Sequence, residues 1–94
     1  MEDTVELGGN IQLNGFSRLD GASMIILKKI VGNYAKKLSE KGPFEKLSVT
    51  MDEYEENLLK AELINKGNSI TAETSNNNLF FALDKVLKEI DNKL

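Results

Sequence analysis

Seven side chains have the type and spacing to engage a polyanion: Lys28, Lys29, Lys36 and Lys37 in the first half of the chain, Lys85 and Lys88 near its end, and Phe81 just before those two. Lysines one and two turns apart on a straight helix can follow phosphates, and a small residue between them lets the backbone approach closely. Gly32 and Asn33 occupy that intervening place. Glycine inside a helix costs about 1 kcal/mol relative to alanine, so Gly32 calls for an offsetting reason. A run of surface lysines can equally be a solvated face, and Gly32 can simply relieve crowding. Phe81 is open in the same way. A ring among lysines can stack on an unpaired base or meet a partner's apolar patch, or it can lie under the first helix, a loop or a second copy of the chain.

Catalytic chemistry has few residues to work with. There is no histidine and no cysteine, which removes the usual general base near neutral pH, the imidazole and thiolate metal ligands and the strongest nucleophile. The acidic stretch Asp52-Glu53-Tyr54-Glu55-Glu56-Asn57 lacks the alternating ligands and the glycine of a calcium loop and reads as a solvated connection. No glycine-rich phosphate loop, triad or paired-carboxylate motif is present. The residues therefore point to a binding surface and not a reaction centre, with no enzyme activity, cofactor or metal expected.

The overall charge of −3 hides an uneven distribution. Residues 21–41 hold Lys28, Lys29, Lys36, Lys37 and Lys41 against Glu40 alone, whereas 1–20 and 42–66 are each acidic and 67–94 nearly balanced. A phosphate backbone responds to such a local island more than to the total. Ninety-four residues with 40% hydrophobic content predict one domain over 1–94, with a frayed N-terminus over about 1–8. No run approaches the roughly 18 consecutive apolar residues of a membrane span, and Met1-Glu2-Asp3 lacks the basic and apolar regions of a signal peptide. A cytoplasmic protein that does not enter membranes is expected, which the lack of cysteine suits.

Hydrophobic periodicity supplies the scaffold. Ile11 and Leu13 alternate with Gln12 and Asn14, predicting a strand at about 10–16 after a turn at Gly8-Gly9. Ser17 or Asp20 could cap the helix that follows. Across 22–41, Met24, Ile26, Leu27, Ile30, Val31, Tyr34, Ala35 and Leu38 fall on one half of a helical cylinder, and Gly42-Pro43 ends it. The period then changes to two through Leu47-Val49-Met51, Leu59-Ala61-Leu63 and Ile70-Ala72-Thr74, with Asn65-Lys66-Gly67-Asn68 as a tight hairpin. In the closing helix, Leu79, Phe80, Leu83, Val86, Leu87 and Ile90 share a face, and Phe81 projects about 160° from Leu79, beside Lys85 and Lys88. The expected fold is an α+β two-layer sandwich, β-α-β-β-β-α, with both helices packed on one face of a four-stranded sheet.

The order of elements, and most specifically the residues Asn78-Leu79-Phe80-Phe81-Ala82-Leu83-Asp84-Lys85-Val86-Leu87 after a strand ending Ala72-Glu73-Thr74, resembles the ribosome hibernation promoting factor family, also called the ribosome-associated inhibitor family. The resemblance covers about 85 residues in layout and roughly the last 25 in motif. It implies a non-catalytic regulator docked on the small ribosomal subunit, with Lys28, Lys29, Lys36 and Lys37 of the first helix and Lys85 and Lys88 of the second against rRNA. Here Asp84, Glu89 and Asp91 dilute the second helix relative to that family. Double-stranded RNA-binding domains have a related layout but resemble one another in lysines at the start of the last helix, where this chain has Asn76-Asn77-Asn78. The rival reading is a protein-interaction module or homodimer that uses the open sheet face, around Ser48, Thr50, Lys60, Ile64 and Thr71, without RNA.

Overall fold

A computed structural model describes residues 4–8, 10–17, 19–52, 55 and 57–94. Five strands and two helices follow in the order β1 (Thr4–Leu7), β2 (Ile11–Asn14), α1 (Gly21–Lys41), β3 (Lys46–Met51), β4 (Leu58–Asn65), β5 (Asn68–Ser75) and α2 (Leu79–Lys93). The strands lie side by side in chain order, antiparallel except for the parallel β2–β3 pair, which α1 connects. The class is α+β, as the periodicities predict. The sheet has five strands and not four, because Thr4–Leu7, expected to fray, pairs with β2 from Thr4↔Asn14 to Leu7↔Ile11. Four residues are too few to declare a period, and Val5 and Leu7 are only half-buried at this sheet edge.

Register places one residue set on each face. Ile11, Leu47, Leu63 and Ile70 form one cross-strand row, and Leu13, Val49, Ala61 and Ala72 form another. Together with Leu27, Val31, Leu38, Leu83, Val86, Leu87 and Ile90 from the helices they make a single core cluster. A side-chain period of two sends their neighbours to the opposite, solvated face.

Local chemistry sets the element ends. Asp20 is the cap of α1: its side chain accepts from the Ser23 amide at 3.3 Å, and hydrogen bonding from Ser23, chiefly from its side chain and then from this amide, holds its carboxyl below the ordinary value. Asn78 caps α2, accepting from the Phe80 and Phe81 amides at 2.9 and 3.2 Å, while Asn76 accepts from the Asn78 amide. Lys66 and Gly67, both at positive φ (53° and 78°), form the two-residue turn between β4 and β5, and such a turn matches the twist of the paired strands. The Gly8-Gly9 turn and the acidic stretch 52–57 fall partly outside the described residues.

The helices run side by side with a constant offset. Tyr34 Oη donates to Asp84 Oδ1 at 2.7 Å, and Lys41 Nζ donates to the Asp91 carbonyl at 2.9 Å, each pair 50 residues apart. Helix α2 therefore begins level with Lys29, and no residue of α2 stands level with Ile26. That explains a departure from expectation: Ile26, grouped with the buried stripe by periodicity, is 48% exposed.

Candidate nucleic-acid interface

Lys28, Lys29, Lys36 and Lys37 are all exposed on α1, and Lys85 and Lys88 on α2. The pairing of the helices brings the two groups onto one layer. With the 50-residue offset, Lys36 and Lys37 stand level with the α2 turn that carries Lys85 and Lys88, while Lys29 is level with the first residue of α2. Phe81 is 65% exposed, one and two turns before Lys85 and Lys88 on the outer side of α2. Of the places open to that ring, the described residues leave it uncovered.

The six lysines are not equivalent. Lys37 Nζ lies 3.6 Å from Asp91 Oδ2 and 5.8 Å from the Tyr34 ring centroid, so part of its charge is already engaged. Lys41, outside the predicted set, carries the main contact at 2.8 Å from Asp91 Oδ1. Asp91 is nearly buried between the helix ends, and the Lys41 contact holds its carboxyl below the ordinary carboxylate value. It is thus an internal anchor of the helix pair, and its charge is largely cancelled where an approaching phosphate would feel it. Asp84 likewise accepts from Tyr34, whose hydroxyl is pushed up to about 12, first by burial and then by this bond. Lys28, Lys29, Lys36, Lys85 and Lys88 make no ion pair among the described residues.

Charge is segregated by layer. Helix α1 holds five lysines against Glu40, and α2 three lysines against Asp84, Glu89 and Asp91, so the helix layer carries +4 while the remaining residues carry −7 of the total −3. The positive excess sits on α1, and an uneven charge distribution of this kind orients a small domain toward a polyanion before contact. Exposed ammonium groups of this kind can neutralise phosphates.

One residue was missed in the sequence reading. Ile25 is 69% exposed and shares a strip of α1 with Gly32 and Lys36, seven and eleven residues further on. Its signal was its place opposite the buried stripe, where a large aliphatic side chain gains nothing from the core.

The open sheet face is a different surface. Register aligns Ser48, Glu62 and Thr71 in one row and Asn14, Thr50, Lys60 and Glu73 in the next. Asn14 donates to Thr50 at 3.2 Å and accepts from Thr4 at 2.8 Å, Ser69 donates to Glu62, and Lys60 lies 3.9 Å from Glu73. Ile64 is the one apolar residue among the five proposed for that face, and it is half-buried. The paired side chains of Thr50, Lys60, Glu62 and Glu73 form part of the lining of a depression of about 520 Å³ there. At the sheet edge, Lys93 Nζ donates to the Thr71 carbonyl at 2.6 Å, blunting the outer strand against strand addition. No helix among the described residues is long and apolar enough to cross a membrane.

The chain matches no known family model and no curated protein.

Proposed function

We propose that this protein is a small, non-catalytic, cytoplasmic RNA-associated regulator that docks on the small ribosomal subunit through the outer surface of its helix layer. The observation that carries the reading is the +4 charge of the helix layer within a chain of net −3, with five of its lysines making no ion pair among the described residues. Lys28, Lys29, Lys36, Lys85 and Lys88 take phosphates, Lys37 contributes the charge that Asp91 leaves it, and Phe81 offers a face for an unpaired base. The resemblance of residues 70–94 to hibernation factors supplies the choice of ribosomal RNA, although the additional strand β1 departs from that family's layout. The paired polar groups of the open sheet face weigh against a dimer formed there.

Co-sedimentation with purified small ribosomal subunits tests this. Each phosphate contact contributes roughly 0.7 to 0.9 to the slope of log affinity on log salt, so losing three at 0.1 M salt weakens binding by about 100- to 500-fold. Changing Lys28, Lys29 and Lys36 together to Glu is expected to have at least this effect while leaving the far-ultraviolet spectrum unchanged. Unchanged binding removes the proposed surface. A stable dimer by light scattering with no affinity for subunits supports the protein-interaction reading instead.

A further inference from the structure

Gly32 has no reason within the fold to be glycine. It lies in the interior of α1, away from both caps, it is exposed, and a Cβ built on it meets nothing within 4 Å. Gly15, by contrast, would drive a Cβ to 2.8 Å from the Met51 carbonyl oxygen. The crowding explanation for Gly32 therefore fails among the described residues, and what remains is the cost of glycine in a helix interior, uncompensated by anything in the free protein. Its surroundings name the compensation. Lys28 and Lys36 lie one turn before and one turn after it, about 12 Å apart along the axis with Gly32 midway, and Lys29 flanks it. All three are exposed and make no ion pair among the described residues, no acid lies between them along α1, and Ile25 extends the same strip by a further turn.

We infer that Gly32 is the closest-approach point of the interface: a bare notch in which a phosphodiester backbone sits against α1, held by Lys28, Lys29 and Lys36, with Ile25 against a sugar. The inference rests on the RNA-facing reading of the helix layer. Charge complementarity selects the occupant, since a notch whose charged neighbours on α1 are all ammonium groups suits a phosphate chain and repels a basic helix. A glycine retained for contact and not for folding leaves a specific signature, in which a larger side chain improves the free protein and harms the complex.

Gly32→Ala and Gly32→Leu, measured by thermal unfolding and by co-sedimentation with purified small ribosomal subunits at 0.1 M salt, separate the possibilities. Gly32→Ala is expected to raise the melting temperature by about 4–8 °C. It is also expected to weaken binding about 5-fold, the loss of one phosphate contact, and Gly32→Leu about 25- to 60-fold, the loss of two. Unchanged binding by Gly32→Leu overturns the inference, as does a fall in melting temperature for Gly32→Ala. If the Lys28, Lys29 and Lys36 triple Glu variant loses binding while Gly32→Leu keeps it, only the notch is wrong. If the unaltered protein does not bind, or the triple variant binds as well as it does, the helix-layer reading falls and the notch with it.

Discussion

Gly15→Ala tests how the sheet hands the chain to α1. Gly15 follows β2 at φ +84°, and a Cβ there would stand 2.8 Å from the Met51 carbonyl oxygen at the end of β3. Two penalties therefore combine. Left-handed backbone costs a non-glycine residue about 1–2 kcal/mol. A backbone oxygen cannot rotate away as a side-chain tip can, so relieving the overlap forces the end of β3 to shift, at roughly another 1–2 kcal/mol. Phe16, the next residue and 1% exposed, fixes the chain on the other side and limits relaxation. The expected loss is about 2–4 kcal/mol, or roughly 10–30 °C in melting temperature for a domain of this size. Gly8→Ala is the control: φ is +67° there, but nothing lies within 4 Å of the added atom, so only the backbone penalty of about 1–2 kcal/mol applies. Urea unfolding followed by far-ultraviolet circular dichroism reads both. Equal losses for the two variants would refute the contact with Met51 as the reason for Gly15.

Three further outcomes are expected. Phe81→Ala leaves the melting temperature unchanged, since the ring is 65% exposed, and weakens subunit binding by about 1–3 kcal/mol, the worth of one stacked base; retained binding makes the ring incidental, and loss of dimers in its place moves it to a protein interface. Tyr34 gains from the folded environment because its pKa rises from 10 to about 12, so its contribution is full below pH 10 and disappears as pH climbs through 12. Absorbance titration is expected to show that alkaline step, and Tyr34→Phe to remove it; an unaltered titration in the variant contradicts the assignment. Asp91 has the opposite sign: its carboxyl is lowered from 3.8, chiefly by Lys41, so its contribution is present above that value and is lost as pH falls below it. Asp91→Asn is expected to flatten the acid side of the stability curve, and a curve as steep as that of the unaltered protein would show that another carboxylate controls it.

Periodicity carried most of the fold because each main element keeps one buried face. Leu47-Val49-Met51 and Leu83-Val86-Leu87-Ile90 announce strand and helix through spacing alone, and Asn78 and Lys66-Gly67 mark a cap and a turn through backbone chemistry that is local. Features that depend on how elements align were not legible. Strand β1 exists through its pairing with β2, and four residues with two half-buried apolar side chains do not declare it. Ile26 fits the apolar stripe of α1, yet its burial depends on where α2 begins opposite it. Asp91 reads as one more charge diluting α2, whereas the aligned helix ends turn it into the partner of Lys41 and engage part of the charge of the still exposed Lys37. Of the seven site residues proposed from sequence, all six lysines and Phe81 are exposed on the helix layer, with Lys37 partly engaged. Ile25 was overlooked because an aliphatic residue outside the stripe carries no chemical flag of its own.

If lysines of the helix layer bind RNA, the affinity of the unaltered protein falls with salt in proportion to the phosphates they engage. Five lysines that make no ion pair among the described residues, each engaging one phosphate, give a slope of about −3.5 to −4.5 for log affinity against log salt. Purified small ribosomal subunits titrated with the protein between 0.05 and 0.2 M salt, a range over which phosphate-driven affinity changes steeply, are predicted to return a slope near those values. A slope near zero, or no binding at the lowest salt, would show that these lysines do not engage RNA phosphates.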